Sequence, residues 1–306
     1  MFPGRRPGRK EVFPLLQFQV PEQKRLRVIV DTDAACEADD PFAIAYALMS
    51  PKLLVRAVTA AHFAQPGSME QSREAALRVT QAMGSDVPVL RGEEGPGGGG
   101  APSEAVQRMI REARIDDPRP LFILCMGALT NIARALRDAP DIANRLTVVS
   151  IGGHPYGENR PPWREFNFGN DPDAANAVLQ SAAPVWQIPS DVYGSIRVGL
   201  AELQEQVMPY GKIGRYLFEQ MIAYNMTPEA AWTQGESWSL GDSPAVAAVL
   251  HPACGRTARR PVCRVENDTS YSPLPGGREI LVYQDMDSRY LLGDFYAKLH
   301  LLYPRT

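Results

Sequence analysis

Val28-Ile29-Val30-Asp31-Thr32-Asp33 is followed by Ala34-Ala35-Cys36-Glu37-Ala38-Asp39-Asp40 and then by Pro41-Phe42-Ala43-Ile44-Ala45-Tyr46-Ala47-Leu48. Residues 26–30 form a short apolar run of the kind that a buried parallel strand makes. The last segment has the composition of a buried helix, with Asp40 placed as its N-cap and Pro41 as its first residue. A strand that turns directly into a helix predicts the first unit of an α/β fold.

The turn between this strand and this helix is strongly acidic. Residues 31–40 contain four aspartates and one glutamate. Carboxylates crowded at one strand tip repel each other unless a positive charge lies among them, and oxygen ligands favour Mg²⁺ or Ca²⁺ over zinc. A solvated turn that only caps a helix is the alternative, but it needs one or two of these aspartates. The sequence therefore predicts a site for a divalent cation.

Apolar strand-like runs alternate with helical patterns over most of the chain. Predicted strands cover residues 26–31, 54–61, 87–91, 121–126, 146–151, 185–189 and 279–284, and predicted helices cover 41–49, 69–83, 103–113, 131–138, 172–181, 207–224, 245–250 and 290–302. This order predicts an open, mostly parallel sheet with helices on both faces, a Rossmann-like α/β core. Ligands in such folds bind at the carboxyl ends of the strands.

Composition restricts the domain organisation and the partners. Residues 1–24 are rich in Pro, Gly and basic side chains and are predicted to form a loose arm, and residues 25–306 a single domain. A net charge of −3 without a basic block argues against nucleic acid, and no apolar run approaches the ~18 residues of a membrane span. The four cysteines show neither metal nor disulfide spacing, which predicts reduced thiols and a cytoplasmic location.

Three later segments carry further polar groups at predicted strand ends or helix starts. The strand that ends at Met126 turns at Gly127, which leaves a main-chain carbonyl free to bind calcium, although most such turns are only connections. Glu165 and Asn167 alternate with Phe166 and Phe168, so an extended segment would present both polar groups on one side, where they suit sugar hydroxyls. An exposed polar edge over a buried aromatic pair is the alternative for that segment.

The last of these segments surrounds Asp242, which precedes Pro244 and a helical pattern. Asp242 is either one more helix cap or a further acid of the cation site. Trp232 and Trp238 lie nearby in the sequence. They are expected either in the core or on the wall of a pocket for a flat ring.

Together these motifs resemble the inosine–uridine-type nucleoside hydrolases. The motifs that carry the resemblance are Asp31-Thr32-Asp33 with Asp39-Asp40, Gly127-Ala128-Leu129-Thr130-Asn131, Glu165-Phe166-Asn167 with Asp171-Pro172, and Asp242 with Pro244-Ala245. They occur in the family's order over most of the chain. The resemblance implies an N-ribosyl hydrolase that releases free base and ribose from a nucleoside, acts in purine or pyrimidine salvage, and forms a homo-oligomer, a dimer or a tetramer.

The resemblance also implies roles for individual residues. Ca²⁺ would be held by Asp33, Asp40, Asp242 and the carbonyl of Met126, and Asp33 would be the base that deprotonates a metal-bound water. Asp31 would support this shell from behind. The residues implied for binding the ribose hydroxyls are Asp39, Asn159, Glu165 and Asn167.

Two departures from the family pattern affect these roles. Five residues, 34–38, separate the two acidic pairs where the family commonly has three, which could bring Glu37 near the ribose. Gly241 stands where many members carry a histidine that protonates the leaving base. His62 follows a strand that ends at the same edge and is the candidate replacement, and stacking on Trp238 or Trp232, an acid at Glu236, or bulk water are the other possibilities.

Two other functions are compatible with parts of the pattern. A non-catalytic nucleoside- or ribose-binding protein on the same scaffold would account for the glycine at position 241. A phosphatase with an Asp-x-Asp strand tip and Mg²⁺ would need a phosphate-binding Lys or Arg and a late aspartate pair at the same tip. In this chain the second aspartate is followed by Ala34-Ala35 instead of the Gly-Thr that is common in those enzymes.

Overall fold

A computed structural model describes residues 15–157 and 162–305. Residues 1–14 of the predicted arm, and Asn159, lie outside the described residues. In the rest of the arm, Leu16 is buried and Glu22–Lys24 form a 3-10 turn directly before the first strand. Of the helices in the described residues, none is long and apolar enough to cross a membrane.

Strands and helices alternate as the apolar runs predict. The strands are β1 (Leu26–Thr32), β2 (Leu53–Ala60), β3 (Val89–Leu90), β4 (Leu121–Cys125), β5 (Thr147–Ile151), β6 (Val185–Ile188), β7 (Arg197–Gly199), β8 (Ser237–Ser239), β9 (Thr257–Pro261), β10 (Cys263–Val265), β11 (Tyr271–Pro273) and β12 (Glu279–Tyr283). The helices are α1 (Asp40–Leu48), α2 (Ser68–Met83), α3 (Glu104–Arg114), α4 (Thr130–Asp138), α5 (Phe166–Asn170), α6 (Pro172–Gln180), α7 (Ser190–Tyr193), α8 (Leu200–Gln206), α9 (Gly211–Asn225), α10 (Ser243–Leu250) and α11 (Ser288–Leu302).

The main sheet has eight strands in the order β3-β2-β1-β4-β5-β6-β12-β9. Its pairings are parallel except that of β9, which runs antiparallel to β12 at one edge. The predicted fold class is confirmed. The chain moves outward from β1 in one direction and from β4 in the other, so a crevice opens above the carboxyl ends of these two central strands, where such folds bind ligands.

Two hydrophobic cores lie on opposite faces of the sheet. Along β1, Val28 and Val30 enter the core that is covered by α1, α2, α9, α10 and α11, whereas Ile29 enters the core under α3, α4 and α6. This alternation is the period of two that a strand imposes on its side chains, and each such side chain contributes about 1.5–3 kcal/mol when it is fully buried. The central strand is therefore firmly fixed, and so is the acidic turn that follows it.

Two local predictions were wrong. The helix predicted over residues 207–224 is α9, which begins only at Gly211, because Pro209 interrupts the helical pattern and Gly211 adopts a left-handed φ of +66°. Helix α1 begins at Asp40, so its N-cap is Asp39 and not Asp40. The Asp39 side chain makes no capping hydrogen bond to the helix. The Asp40 side chain instead accepts a hydrogen bond from the Thr32 hydroxyl.

Candidate active site

The pairing of β1 with β4 brings the first acidic turn next to the turn at Gly127. Asp31 lies opposite Cys125 in the parallel ladder, and the Met126 amide donates a 2.8 Å hydrogen bond to the Asp31 carbonyl. A Cβ atom on Gly127 would lie only 2.8 Å from Cγ of Asp33. Glycine at this turn therefore leaves the space that the Asp33 carboxylate occupies.

Two buried helices bring the other acids to the same place. Helices α1 and α10 pack against each other, and the Asp242 amide at the start of α10 donates to Oδ2 of Asp39 at 3.3 Å. Side-chain oxygens of Asp39, Asp40 and Asp242 all lie within 4.8 Å of one another. Because the amino-terminal end of a helix carries partial positive charge, two such ends favour negative side chains here.

These residues surround a cavity above the centre of the sheet. Six carboxylates line it, and they come from three separate segments of the chain: Asp33, Glu37, Asp39, Asp40, Glu165 and Asp242. None of the described residues on its wall is Lys, Arg or His. The cavity is therefore strongly negative and has no protein cation of its own among these residues.

Burial and mutual repulsion raise the pKa values of these acids. Burial, together with the charges of Asp40 and Glu37, raises the pKa of Asp33 well above its usual range. Burial and the neighbouring acids raise the pKa of Glu37 to about 8 and that of Asp40 to about 7. Burial alone raises the pKa of Asp39 to about 6, against several main-chain hydrogen bonds that lower it. Without a cation, Glu37 and Asp40 would therefore hold protons near neutral pH.

The structure gives three reasons why a hard divalent cation fits this cavity. Oδ2 of Asp33 is buried, and no described residue donates a hydrogen bond to it. Carboxyl oxygens of Asp40 and Asp242 lie within 4.8 Å of each other, and the charge of Asp40 raises the pKa of Asp242, so a cation between them would relieve their repulsion. The ligands on offer, including the Met126 carbonyl, are oxygen atoms, which Mg²⁺ and Ca²⁺ prefer.

The composition of the acidic group differs from the implied ligand set in one respect. Within the described residues, the three carboxylates close enough to share one ion are those of Asp39, Asp40 and Asp242. The resemblance instead implies the carboxylates of Asp33, Asp40 and Asp242. Asp39, which the resemblance assigns to the sugar, is turned toward the start of α10 because the amides of Gly241 and Asp242 donate to it. Asp33 lies beside this group, against Gly127.

Glu165 and Asn167 both reach the cavity, but their segment is helical and not extended as predicted. Glu165 is the N-cap of α5, and its carboxylate accepts hydrogen bonds from the amides of Asn167 (3.3 Å) and Phe168 (2.9 Å), which close the helical turn. The rings of Phe166 and Phe168 consequently do not share one side. Phe168 is fully buried, whereas Phe166 is 40% exposed and lies on the cavity wall.

The carboxamide of Asn167 connects the cavity wall to the ends of two strands. Its Nδ2 donates to the carbonyls of Ile151 (3.0 Å) and Met126 (3.3 Å). Asn167 therefore has its amide nitrogen occupied and offers only Oδ1 to a ligand. It also holds the Met126 carbonyl at the cavity.

Asp31 lies beneath the cavity, where it does not contact a ligand. It is fully buried and accepts hydrogen bonds from Thr59 Oγ1 at 2.6 Å and Asn131 Nδ2 at 2.8 Å. The Asn131 side chain also accepts a hydrogen bond from the Glu93 amide and donates one to the Ala60 carbonyl, so the acidic turn is tied through α4 to β2 and to the segment after β3. This placement suits a residue that supports the turn from behind.

His62 and Trp238 are not brought to the cavity. His62 follows β2 at the expected edge, but its ring is fully buried and its Nε2 lies 2.7 Å from Oγ1 of Thr130, which donates to Asp171. Trp238 is 2% exposed in the two-stranded antiparallel sheet of β7 and β8 and packs edge-on against Tyr224 and Trp232. Polar pairing holds the histidine in the interior, and aromatic packing does so for the tryptophan.

The sequence motifs missed three residues of the wall, Cys36, Ile151 and Tyr193. Tyr193 ends the short helix α7 after β6, and Cys36 lies in the acidic turn next to Glu37. Tyr193 donates a 3.0 Å hydrogen bond to Oε1 of Glu165. The only available signal was that Tyr193 follows a strand ending at the same edge of the sheet, which applies equally to every loop on that side.

Comparisons with known proteins agree with the fold and with the family that the motifs resemble. The family model for inosine-uridine preferring nucleoside hydrolases matches residues 28–285. The pyrimidine-specific ribonucleoside hydrolase RihA of Salmonella arizonae is 29% identical over 255 residues, which cover 75% of this chain and 78% of that protein. The non-specific ribonucleoside hydrolase RihC of Salmonella newport is 31% identical over 192 residues, 55% of this chain and 61% of that protein.

Solved structures show the same architecture. The structure of an inosine-guanosine nucleoside hydrolase (IG-NH) superposes with a TM-score of 0.73 at 22% identity and covers 90% of this chain and 98% of that one. The acidic motifs that meet at the cavity all fall within the 258 residues, 28–285, that the family model spans. Sequence, fold and site thus lead to one conclusion: the chain belongs to the inosine-uridine preferring nucleoside hydrolases, a family of N-ribosyl hydrolases.

Proposed function

We propose that this protein hydrolyses the N-glycosidic bond of a ribonucleoside to free base and ribose, with Ca²⁺ as its cofactor. The observation that carries the proposal is the convergence of six carboxylates from three separate segments on one buried cavity. So many acids are costly to bury unless they act together on a cation and on a substrate. Family membership supports ribonucleoside hydrolysis as the reaction.

The proposed ligands of Ca²⁺ are Asp33, Asp40, Asp242 and the Met126 carbonyl, and the geometry adds Asp39 to them. Calcium is favoured over magnesium because it accepts six to eight oxygen ligands in flexible geometry. When bound, the ion would supply positive charge that offsets the repulsion among the acids and lowers the pKa of water in the cavity.

Asp33 is the proposed general base. Its Oδ2 is buried in the cavity region without a described donor, so it is available to accept a proton from the attacking water. A base must be ionised, and burial together with the charges of Asp40 and Glu37 raises the pKa of Asp33, which disfavours its ionised form. The proposed function therefore makes Asp33 dependent on a cation that its neighbours hold.

The remaining polar wall is proposed to bind the ribose. Glu165, Asn167 and Glu37 lie on the cavity wall and offer oxygen atoms to sugar hydroxyls. Asn159, which lies outside the described residues, stays a prediction from the resemblance. Fixed negative charge around the sugar favours the oxocarbenium-like charge that develops as the glycosidic bond breaks.

A second function is favoured by one observation. Gly241 lines the cavity and has no side chain that could protonate a leaving base. A protein that binds nucleosides or ribose on this scaffold without cleaving them needs no such group. Both functions require binding of the same nucleoside or ribose, but only the hydrolase cleaves it.

The experiment that separates them is a screen of purine and pyrimidine ribosides for release of reducing sugar, with and without calcium. We expect release that depends on calcium for at least one riboside. Calorimetric binding of a riboside without release of sugar would establish the binding protein instead. A riboside that is neither bound nor cleaved at any calcium concentration, across the whole panel, would overturn both.

Replacing Glu165 with alanine is expected to raise KM for the riboside about tenfold to a hundredfold, the range for a lost hydrogen bond to a charged group. The rate should fall as well, because the transition state gains most from a fixed carboxylate. Steady-state kinetics with the best riboside of the screen measures both. Glu74→Ala, on an exposed face of α2, is the matched control. Unchanged kinetics in Glu165→Ala would remove this residue from the sugar site.

Replacing Gly127 with alanine is expected to lower kcat/KM by roughly a hundredfold, the cost of displacing a reacting group by about 1 Å. The new Cβ would lie within 3.0 Å of three atoms of Asp33, which must therefore move. Gly95→Ala is the control, because a Cβ there meets nothing within 4 Å. Equal kinetics for the two variants would show that the position of Asp33 does not limit the reaction.

Three further properties stay predictions from the sequence and the resemblance. They are a catalytic domain that spans residues 25–306, a dimeric or tetrameric state, and a cytoplasmic role in purine or pyrimidine salvage.

A further inference from the structure

Tyr193 occupies a position between the proposed sugar site and the gap at Gly241. Its hydroxyl donates a 3.0 Å hydrogen bond to Oε1 of Glu165. A Cβ atom on Gly241 would lie 3.2 Å from Cδ2 of the Tyr193 ring and equally close to Oδ2 of Asp39. The ring of Tyr193 therefore fills the space into which a side chain at position 241 would extend.

We propose that Tyr193 is a positioning and specificity-determining residue of this site. Its hydroxyl holds the Glu165 carboxylate in place for a sugar hydroxyl, and its ring forms the wall that a side chain at 241 would otherwise form. This inference rests on the proposed function, since it assigns Tyr193 to the binding of the same riboside.

The hydroxyl half of the proposal follows from the hydrogen bonds of Glu165. This carboxylate is fully buried, and its other donors are main-chain amides, including those of Asn167 at 3.3 Å and Phe168 at 2.9 Å. On Oε1, the Tyr193 bond at 3.0 Å is shorter than the Asn167 bond. A substrate hydroxyl that binds Glu165 thus meets an oxygen whose direction depends on Tyr193.

The ring half follows from the close approach at Gly241. Contacts of 3.2 Å are tighter than ordinary van der Waals contacts, so a side chain at 241 must push the ring aside. Moving the ring also moves the hydroxyl and stretches its bond to Glu165. The identity of residue 241 and the position of Glu165 are therefore coupled through Tyr193.

The first test compares Tyr193→Phe with Glu165→Gln on inosine, uridine and their 2′-, 3′- and 5′-deoxy analogues. Glu165→Gln identifies the hydroxyl that Glu165 binds, because the variant should no longer discriminate against the analogue that lacks it. Tyr193→Phe should lose discrimination against the same analogue, with KM raised about tenfold for the full nucleoside and kcat changed less. If Tyr193→Phe loses discrimination against a different deoxy analogue, or against none, the proposed role of the Tyr193 hydroxyl is wrong.

The second test is a double-mutant cycle between positions 193 and 241. Gly241→Ala should lower kcat/KM about three- to tenfold in the wild type and less in Tyr193→Phe, which keeps the ring but has no hydroxyl to displace from Glu165. In Tyr193→Ala the cost should shrink, since only the contact with Asp39 remains. An equal cost in all three backgrounds would overturn the ring half.

Two measurements keep a failure of this inference distinct from a failure of the proposed function. Each variant is also compared by calorimetric Kd for the same nucleosides in calcium, so the comparison holds even if the wild type binds without cleaving. Calcium binding itself should be unchanged in Tyr193→Phe. If the wild type neither binds nor cleaves a riboside, both proposals are wrong, whereas a normal wild type with unaltered Tyr193 variants contradicts this one alone.

Discussion

Asp33→Asn is expected to lower kcat by about a thousandfold or more, because it removes a proposed general base, whose contribution is typically 10²–10⁴, and also weakens a proposed calcium ligand. The amide has nearly the shape of the carboxylate, so the close approach to Gly127 is preserved. Single-turnover and steady-state release of ribose in saturating calcium measure the loss. A rate near that of the wild type would rule out Asp33 as the base.

A stability measurement distinguishes this result from simple misfolding. The Asp33 carboxylate is buried among other acids that raise its pKa, so its neutral replacement relieves repulsion in the metal-free protein. We expect the Tm of metal-free Asp33→Asn to equal or exceed that of the metal-free wild type. Asp173→Asn, the same change at an exposed position on α6, is the control and should alter neither rate nor Tm. A lower Tm in the variant would attribute the lost activity to the fold.

Much of the fold could be predicted because parallel strands leave a strong local signal. Strands β1 and β4 are buried on both faces, so their sequences are continuous apolar runs. The predicted bounds differ from the structure by at most two residues for β1–β6 and for each helix that was predicted between them. The start of the helix predicted over residues 207–224 was placed too early, because its apolar spacing already begins at residue 207. The chain is not helical from residue 207 to Tyr210, and α9 begins only at Gly211.

The candidate site was predictable where a motif carries both the residue and its direction. Asp39, Asp40 and Asp242 start buried helices at the carboxyl end of the sheet, so their placement follows from topology. Which of the acids group together does not follow, because it depends on how α10 packs on α1. That packing brings the Asp242 amide to Asp39.

Side chains whose direction depends on partners distant in the chain could not be placed. His62 lies at the predicted edge but turns to Thr130, 68 residues away, and no local pattern shows that pairing. Tyr193 shows the reverse: no sequence motif includes it, yet its hydroxyl contacts Glu165, which lies 28 residues away in the chain. Sequence patterns therefore identify the strand end from which a residue starts, and long-range contacts decide whether its side chain enters the site.

Removal of the cation is expected to abolish turnover, and calcium to restore it. Ligand that binds only the folded state stabilises it by about 2.7 kcal/mol at a concentration of 100 Kd, so added calcium should also raise Tm by roughly 5 °C. Activity and Tm are measured after treatment with chelator, then with calcium or magnesium added. Magnesium should restore less, because it needs stricter octahedral geometry. Asp242→Asn should lose most of the calcium-dependent rise in Tm.

The size of the calcium effect should depend on pH in a defined direction. In the metal-free protein the pKa values of Asp39, Asp40 and Glu37 are raised to about 6, 7 and 8, from ordinary values of about 4. A pKa raised by folding means that the protonated groups favour the folded state at low pH, and this stability, fully present below about pH 4, is lost as pH rises through the folded-state pKa values to about 8. The metal-free protein should therefore have a lower Tm at pH 8 than at pH 5. Calcium competes with these protons, so its stabilising effect should grow over the same interval, and a metal-free Tm that rises from pH 5 to pH 8 would contradict a buried acidic site that requires a cation.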